Sequence, residues 1–360
     1  RLWPWPPNTR RHYVKQRASI ASKAKKCASL PYNHETNRRL SIIHTDTLAI
    51  PTTHSMSEFT VQYLGCGSAT PSLRHMPSCQ IVDYRNSLMM VDCGEGAQLT
   101  MRRMRIHFAR LRHVFISHLH GDHFLGLPGL LSTLSLQDKG GNLHVHVFEE
   151  GEELLRHFMQ VTTGEPTFEI IYDRLYDDEP RIVLDTKALT VTSFPLHHRV
   201  PCVGFRFDEK PKARHLRGDM AAYLGIPVCD IPAIKEGADW TTPDGRTIDN
   251  ERLTLPPTPS YSYAYCSDTS YHRDTVEAVH GVNVLYHEAT YADDKKSCAR
   301  LHGHSTARQA AMVAREAEVG CLVLGHYSKS YCNEDSLLAE AREIFPNTIA
   351  ATEGMRMDIE

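Results

Sequence analysis

The sequence predicts a layered α/β domain. Strand-like and helix-like segments alternate from Phe59 onward, apolar runs end on glycine turns, and histidines cluster where those runs stop. Phe59, Val61 and Tyr63 alternate ahead of Gly65-Cys66-Gly67-Ser68, and Leu88-Met89-Met90-Val91 closes on Asp92-Cys93-Gly94-Glu95-Gly96. A helix is expected from about Ala97 to Arg105. Val114-Phe115-Ile116-Ser117 then runs into His118-Leu119-His120-Gly121-Asp122-His123, which places that motif on a loop at a strand's C-terminal end, where sites of open α/β sheets lie. The placement recurs: Leu189 to Phe194 leads to His197-His198, Tyr261 to Cys266 to Asp268, and Cys321 to Gly325 to His326. Val282 to Tyr286 leads to His287-Glu288, and Ser305 with Thr306 can cap a helix whose Ala310, Ala311, Ala314 and Ala317 form a small-residue face.

Composition bounds the reading. With 360 residues, 41% of them hydrophobic and 23% charged, the chain has room for one large or two modest cores. A net charge of -3 gives no global attraction for a polyanion, so such a partner would have to meet a local basic patch. No apolar run approaches the roughly 18 residues that span a bilayer, and a cytoplasmic protein is expected. The ten cysteines are spread singly, without a C-x-x-C pair, which argues against a disulfide scaffold and against a cysteine zinc site. The 22 histidines instead concentrate at the strand ends.

Residues 1–57 differ from the rest. Arg1 to Arg39 is rich in Lys and Arg with Glu35 as its one acidic residue, so 1–57 is expected to be a poorly structured extension. It reads as a transit peptide or, by preference, as chain upstream of a true start at Met56. Residues 58–360 are expected to form one catalytic domain, with 208–259 inserted in it as an arm carrying the basic run Lys210, Lys212, Arg214, His215 and Arg217.

The histidine motif carries the chemistry. Two imidazoles two residues apart on a loop can reach one cation, while the following Asp-His pair can point at a second. Zinc suits imidazole nitrogen and carboxylate oxygen, and manganese or iron fit the same ligands. Two such cations lower the pKa of a shared water and clamp both oxygens of an in-line displacement. The motif's residues cannot fill two coordination shells, so histidines and a bridging aspartate from later strand ends are required. Asp268 and His326 are candidates, together with His197 or His198, which spacing does not separate.

The motif, with Asp92-Cys93-Gly94-Glu95-Gly96, His198-Arg199-Val200-Pro201, Ser267-Asp268-Thr269, His287-Glu288-Ala289-Thr290 and Gly303-His304-Ser305-Thr306, resembles ribonuclease Z, the tRNA 3′-end endonuclease of the metallo-β-lactamase superfamily. The resemblance spans Phe59 to the C-terminus. It implies a four-layer αββα sandwich with an inserted tRNA-binding arm. One zinc would be held by His118, His120, His198 and Asp268, the other by Asp122, His123, Asp268 and His326. Asp122, His304 and Glu288 would be catalytic: His304 assists proton transfer to the leaving oxygen or stabilises charge, and Glu288 orients it. The reaction implied is endonucleolytic removal of the 3′ trailer from precursor tRNA, leaving a tRNA 3′-hydroxyl and a trailer 5′-phosphate. Lys210, Lys212 and Arg214 would contact the tRNA, and a homodimer would present it from one subunit's arm to the other's site. The rival readings are a same-fold hydrolase of a small phosphodiester or aryl sulfate, and a non-catalytic zinc-containing RNA-binding protein. Protein begun at Met56 is expected to fold and cleave normally, and loss of activity in that truncation would overturn the assignment of the extension.

Overall fold

A computed structural model describes residues 57–360, so the expected extension before Ser57 lies outside the described residues. The first half contributes β1 (Phe59–Gly65), β2 (Cys79–Tyr84), β3 (Ser87–Cys93), β4 (Leu111–Phe115), β5 (Leu143–Val147) and β6 (Ile170–Arg174). Then come β7 (Arg181–Asp185), β8 (Leu189–Pro195) and β9 (Val203–Glu209). Four two-residue strands follow in the insertion: β10 (His215–Leu216), β11 (Trp240–Thr241), β12 (Thr247–Ile248) and β13 (Thr254–Leu255). The chain closes with β14 (Ser262–Cys266), β15 (Val284–Glu288), β16 (Cys321–Gly325), β17 (Thr348–Ala350) and β18 (Arg356–Asp358).

Two seven-stranded sheets result, in the orders β18-β1-β2-β3-β4-β5-β6 and β17-β16-β15-β14-β9-β8-β7. Strands β3 to β6 pair in parallel, as do β14 to β17, while the remaining neighbours are antiparallel. The run Leu88 to Val91 is apolar throughout because β3 is buried on both faces. Met89 and Val91 join the core between the sheets with Phe115, Phe205, Phe207, Tyr263 and Tyr286, whereas Leu88 and Met90 face an outer core. That outer core is completed by the helices Gly126–Leu136 and Glu149–Thr162, through Leu127, Leu130, Leu131, Leu134, Leu155 and Met159. The helix Ala307–Glu316 packs on the second sheet through the fully buried Ala310, Ala311 and Ala314. The layers are therefore helix, sheet, sheet, helix, the αββα arrangement.

That last helix starts as its sequence directs. Thr306 accepts the Gln309 N–H, and the Gln309 side chain accepts the Thr306 N–H at 3.0 Å, a reciprocal capping box. Ser305 does not share in the cap and donates to the Thr269 carbonyl at 2.7 Å.

Between β9 and β14 the chain builds a small module. Since β9 continues to Glu209, the module begins just after the boundary expected from sequence. It is not a plain loop. Strand β10 pairs with β13 and β11 with β12, and Ile226, Ile234, Trp240 and Leu253 form a core of their own. Buried Asn250 ties that core together by donating to the Ile234 and Ala238 carbonyls, each at 2.7 Å.

The segment after β1 is fastened to the C-terminal region by charge. Glu353 accepts the Cys66 and Met76 N–H groups at 3.2 and 3.0 Å, and His75 lies with Nδ1 3.1 Å from Glu353 and Nε2 2.9 Å from Glu334. The hydrogen bond to Glu353 raises the His75 pKa; burial opposes the rise and Glu334 adds to it. A raised folded-state pKa contributes stability that is complete below the unfolded value of about 6.5 and is lost as pH rises through the folded value. The stability gap between wild type and His75→Gln, measured by urea unfolding, is therefore expected to be largest in mildly acidic buffer and to shrink above neutrality; a gap that does not change with pH would refute the linkage.

Candidate metal centre

Strand ends from both sheets deliver the centre. The chain leaves β4 through Ser117 to the buried His118, then His120, and a helical turn Gly121–Phe124 presents Asp122 and His123. Strand β8 leads to His198, β14 to Asp268, β15 to Glu288 and β16 to His326. Strand β16 can aim His326 inward because that residue adopts φ 59°, a left-handed conformation that costs about 1–3 kcal/mol for a residue with a side chain.

Two ligand sets form around one carboxylate. In the first, His118 Nε2 and His120 Nδ1 are 3.0 Å apart, His120 Nδ1 and His198 Nε2 3.3 Å, and Asp268 Oδ2 is 3.5 Å from His118 and 3.7 Å from His198. In the second, His123 Nε2 and His326 Nε2 are 3.2 Å apart, with Asp122 Oδ2 3.5 and 3.4 Å from them. The other Asp268 oxygen, Oδ1, lies 3.0 Å from His326 and 3.3 Å from His123. A tetrahedral ion with bonds of about 2.0–2.2 Å separates its ligand atoms by about 3.3–3.6 Å, so these spacings suit a cation inside each set. Asp268 Oδ1 is buried yet accepts no hydrogen bond among the described residues, the condition of a carboxylate oxygen built to face a cation. The residues present thus fit two divalent ions bridged by Asp268.

The electrostatics of the first set agree. Burial lowers the pKa of His118 and His198 and pushes His120 down to about 4, which leaves neutral rings with lone pairs to offer. Burial opposes the Asp268 anion, but His326, His123 and His118 hold its pKa well below the ordinary carboxylate range. Burial likewise disfavours a charged His123, but Asp268, Asp122 and Asp92 together raise its pKa well above the usual imidazole value, so an ion binding there would displace a proton from this ring.

A second set of groups orients the ligands. Asp92 is fully buried at a bulge in β3, with φ 56°, where the pairing of β2 skips it. It accepts from the Ser117 N–H at 2.7 Å, the Ser117 hydroxyl at 2.9 Å and the Tyr265 hydroxyl at 2.6 Å, and lies 2.7 Å from His123 Nδ1. His198 Nδ1 donates to the Gly303 carbonyl at 2.8 Å. Glycine is required there, because φ is 73° and an added Cβ would stand 3.0 Å from that same nitrogen. His326 Nδ1 is 2.8 Å from the Thr290 hydroxyl, which donates to Glu288 at 2.6 Å.

His304 overhangs the centre, its ring 5.2 Å from that of His198 and 5.5 Å from that of His326. Its Nδ1 is 2.9 Å from Glu288 Oε1, and the fully buried Glu288 is fixed by the Thr269 and Thr290 N–H groups. Burial disfavours the His304 cation, yet Glu288 and then Asp268 push its pKa up to about 9.

The structure thus gathers His118, His120, Asp122, His123, His198, Asp268, His326, His304 and Glu288 in one place. His197 turns away and stacks on His272 with ring centroids 3.5 Å apart. The three basic residues expected to bind substrate lie at the root of the module, already engaged: Lys210 with Asp185, Lys212 with Glu209, and Arg214 with the Thr254 hydroxyl. Sequence reasoning did not find the roles of Asp92, Ser117, Thr290 and Tyr265. The position of Asp92 at the end of an apolar run, before Cys93-Gly94, was the one available signal.

The profile of the Anti-Pycsar protein Apyc1 family matches residues 59–208. The chain is 46% identical over 304 residues to ribonuclease Z of Parabacteroides distasonis, a match covering 84% of this chain and 100% of that one. The chain belongs to the ribonuclease Z family. Ribonuclease Z of Porphyromonas gingivalis strain W83 matches with the same identity and coverage. Among solved structures, the short form of human tRNase Z superposes with a TM-score of 0.62 at 23% identity, over 84% of this chain and 99% of that one. The metallo-β-lactamase fold protein YhfI from Bacillus subtilis gives 0.59 at 19%, covering 83% and 98%. The chain is accordingly an endoribonuclease, a phosphodiester hydrolase on a metallo-β-lactamase fold, with histidine–aspartate clusters suited to divalent metal.

Asp92→Asn would retain the size of the side chain but weaken its hold on His123. Metal affinity, read by competition with a chromogenic chelator, is expected to fall about 10–100-fold; unchanged affinity would show that Asp92 serves the fold alone.

Proposed function

We propose that this protein removes the 3′ trailer from precursor tRNA by zinc-dependent endonucleolytic hydrolysis in the cytoplasm, leaving a tRNA 3′-hydroxyl and a trailer 5′-phosphate. The observation that carries the proposal is the pairing of two ligand sets on Asp268 with the His304–Glu288 couple beside them. His118, His120, His198 and Asp268 would hold one ion, and Asp122, His123, His326 and Asp268 the other. The ions, when bound, supply Lewis acidity: they lower the pKa of a coordinated water and neutralise charge on the scissile phosphate.

The chain's own groups do the rest. Glu288 occupies His304 Nδ1, so Nε2 is the nitrogen left to face a reacting oxygen. A pKa pushed above neutrality keeps His304 protonated, ready to donate to the departing 3′ oxygen of the tRNA. Part of that rise comes from Asp268, whose charge the ions share, so Glu288 is the partner that sustains it in the loaded enzyme. Ala69 fixes Asp122 by donating its N–H to Oδ2 at 2.6 Å. The inserted module is assigned to the body of the tRNA, with Lys210, Lys212 and Arg214 as candidate contacts. Since two of these already pair with carboxylates, phosphate contacts there would replace existing partners. The resemblance further suggests a homodimer that presents tRNA across subunits.

Cleavage of labelled precursor tRNA tests the reading. His304→Ala is expected to lower kcat by about 10²–10⁴-fold with little change in KM, and removal of metal by chelation to abolish cleavage. Full cleavage by Asp122→Ala would sink the metal mechanism, and turnover of a small phosphodiester in preference to precursor tRNA would favour the small-substrate reading.

A further inference from the structure

We propose that His197, His272 and Asp274 form a further divalent-cation site, outside the bridged centre and fastening the two chain segments that deliver His198 and Asp268 to it. The ligand-type atoms of these three residues lie within 4.8 Å of one another. Asp274 Oδ2 is 3.4 Å from His272 Nδ1 and 3.8 Å from His197 Nε2, close to the separations a bound transition ion sets between its ligands. His197 Nε2 is buried and has no hydrogen-bond partner among the described residues, although its carboxylate neighbour is so near. An imidazole nitrogen in that condition lacks a partner that a cation would supply.

Local structure explains why these side chains meet. His272 is the N-cap of the helix Arg273–Ala278, and its Nδ1 accepts the Asp274 N–H over a long 3.3 Å, a weak hydrogen bond that an ion bound at that nitrogen would replace. His197 is fixed through its backbone: its N–H donates to the Thr269 hydroxyl at 3.0 Å, and its carbonyl accepts the Ser270 N–H at 2.9 Å. The rings stack with planes 28° apart, so they must turn about their side-chain bonds for both lone pairs to meet one ion. Side-chain exposures of 39, 44 and 70% for His197, His272 and Asp274 leave the cluster open to solvent, from which water can complete the shell. Two imidazoles and one carboxylate select a borderline divalent ion, with zinc, cobalt and nickel the fitting class.

None of the three residues belongs to either inner ligand set. The site therefore stands whether or not the substrate is precursor tRNA, and counting metal tests it without an activity assay. His272→Asn keeps a capping side chain while removing the imidazole, and Asp274→Asn removes the charge. Wild type and both variants are dialysed to equilibrium against zinc, their folding is checked by thermal unfolding, and bound zinc is counted by mass spectrometry. Wild type is expected to retain one equivalent more than each variant, and cobalt to behave alike. Equal counts in wild type and the two folded variants would overturn the site.

Discussion

The carboxylate of Asp268 is the group on which the rest of this structure depends. It is buried at the meeting of two ligand sets, one oxygen toward each, and Oδ1 has no hydrogen-bond donor among the described residues. An unpaired carboxylate in such a place costs several kcal/mol, so the surrounding histidines and the ions they suit are a condition for placing it there. The imidazoles come from the first sheet by way of the loop after β4 and from the second by way of β8 and β16. Neutralising Asp268 therefore draws both layers together from their common edge. Divalent metal bound there would be coupled to the packing between the sheets.

Holding nine polar side chains at that edge requires backbone that ordinary strands do not supply. Asp92 and His326 both take left-handed conformations, one at a bulge and one directly after a strand. Each is then held by its side chain: Asp92 by Ser117 and Tyr265, His326 by Thr290. The unfavourable backbone and the hydrogen bonds that retain it occur at the same residues, as expected where a site and not the core dictates conformation.

Features encoded locally were legible in the sequence. The strand before the histidine motif, the turn that presents Asp122 and His123, and the Thr306 cap all follow from residues within a few positions of one another. The four-layer arrangement and the choice of His198 came through the resemblance, since two adjacent histidines on a bend differ only in which way the fold turns them. The partners of Asp92 lie at Ser117 and Tyr265, far along the chain, and no spacing announces them. The module's core escaped notice because Ile226, Ile234, Trp240 and Leu253 follow neither a helical nor a strand period. The pairing of Lys210 and Lys212 with Asp185 and Glu209 is equally invisible to a count of charges.

The module departs from the end of β9 and returns to the start of β14, and these two strands are adjacent, antiparallel neighbours within one sheet. A short hairpin turn could join them without disturbing a single hydrogen bond of that sheet. With its own small core, the module is an appendage on a connection that the catalytic body already tolerates. Such an architecture lets the two parts diverge at different rates: the outgrowth can lengthen, shrink or change its surface from one lineage to another, while the chemistry at the opposite ends of the strands stays as it is.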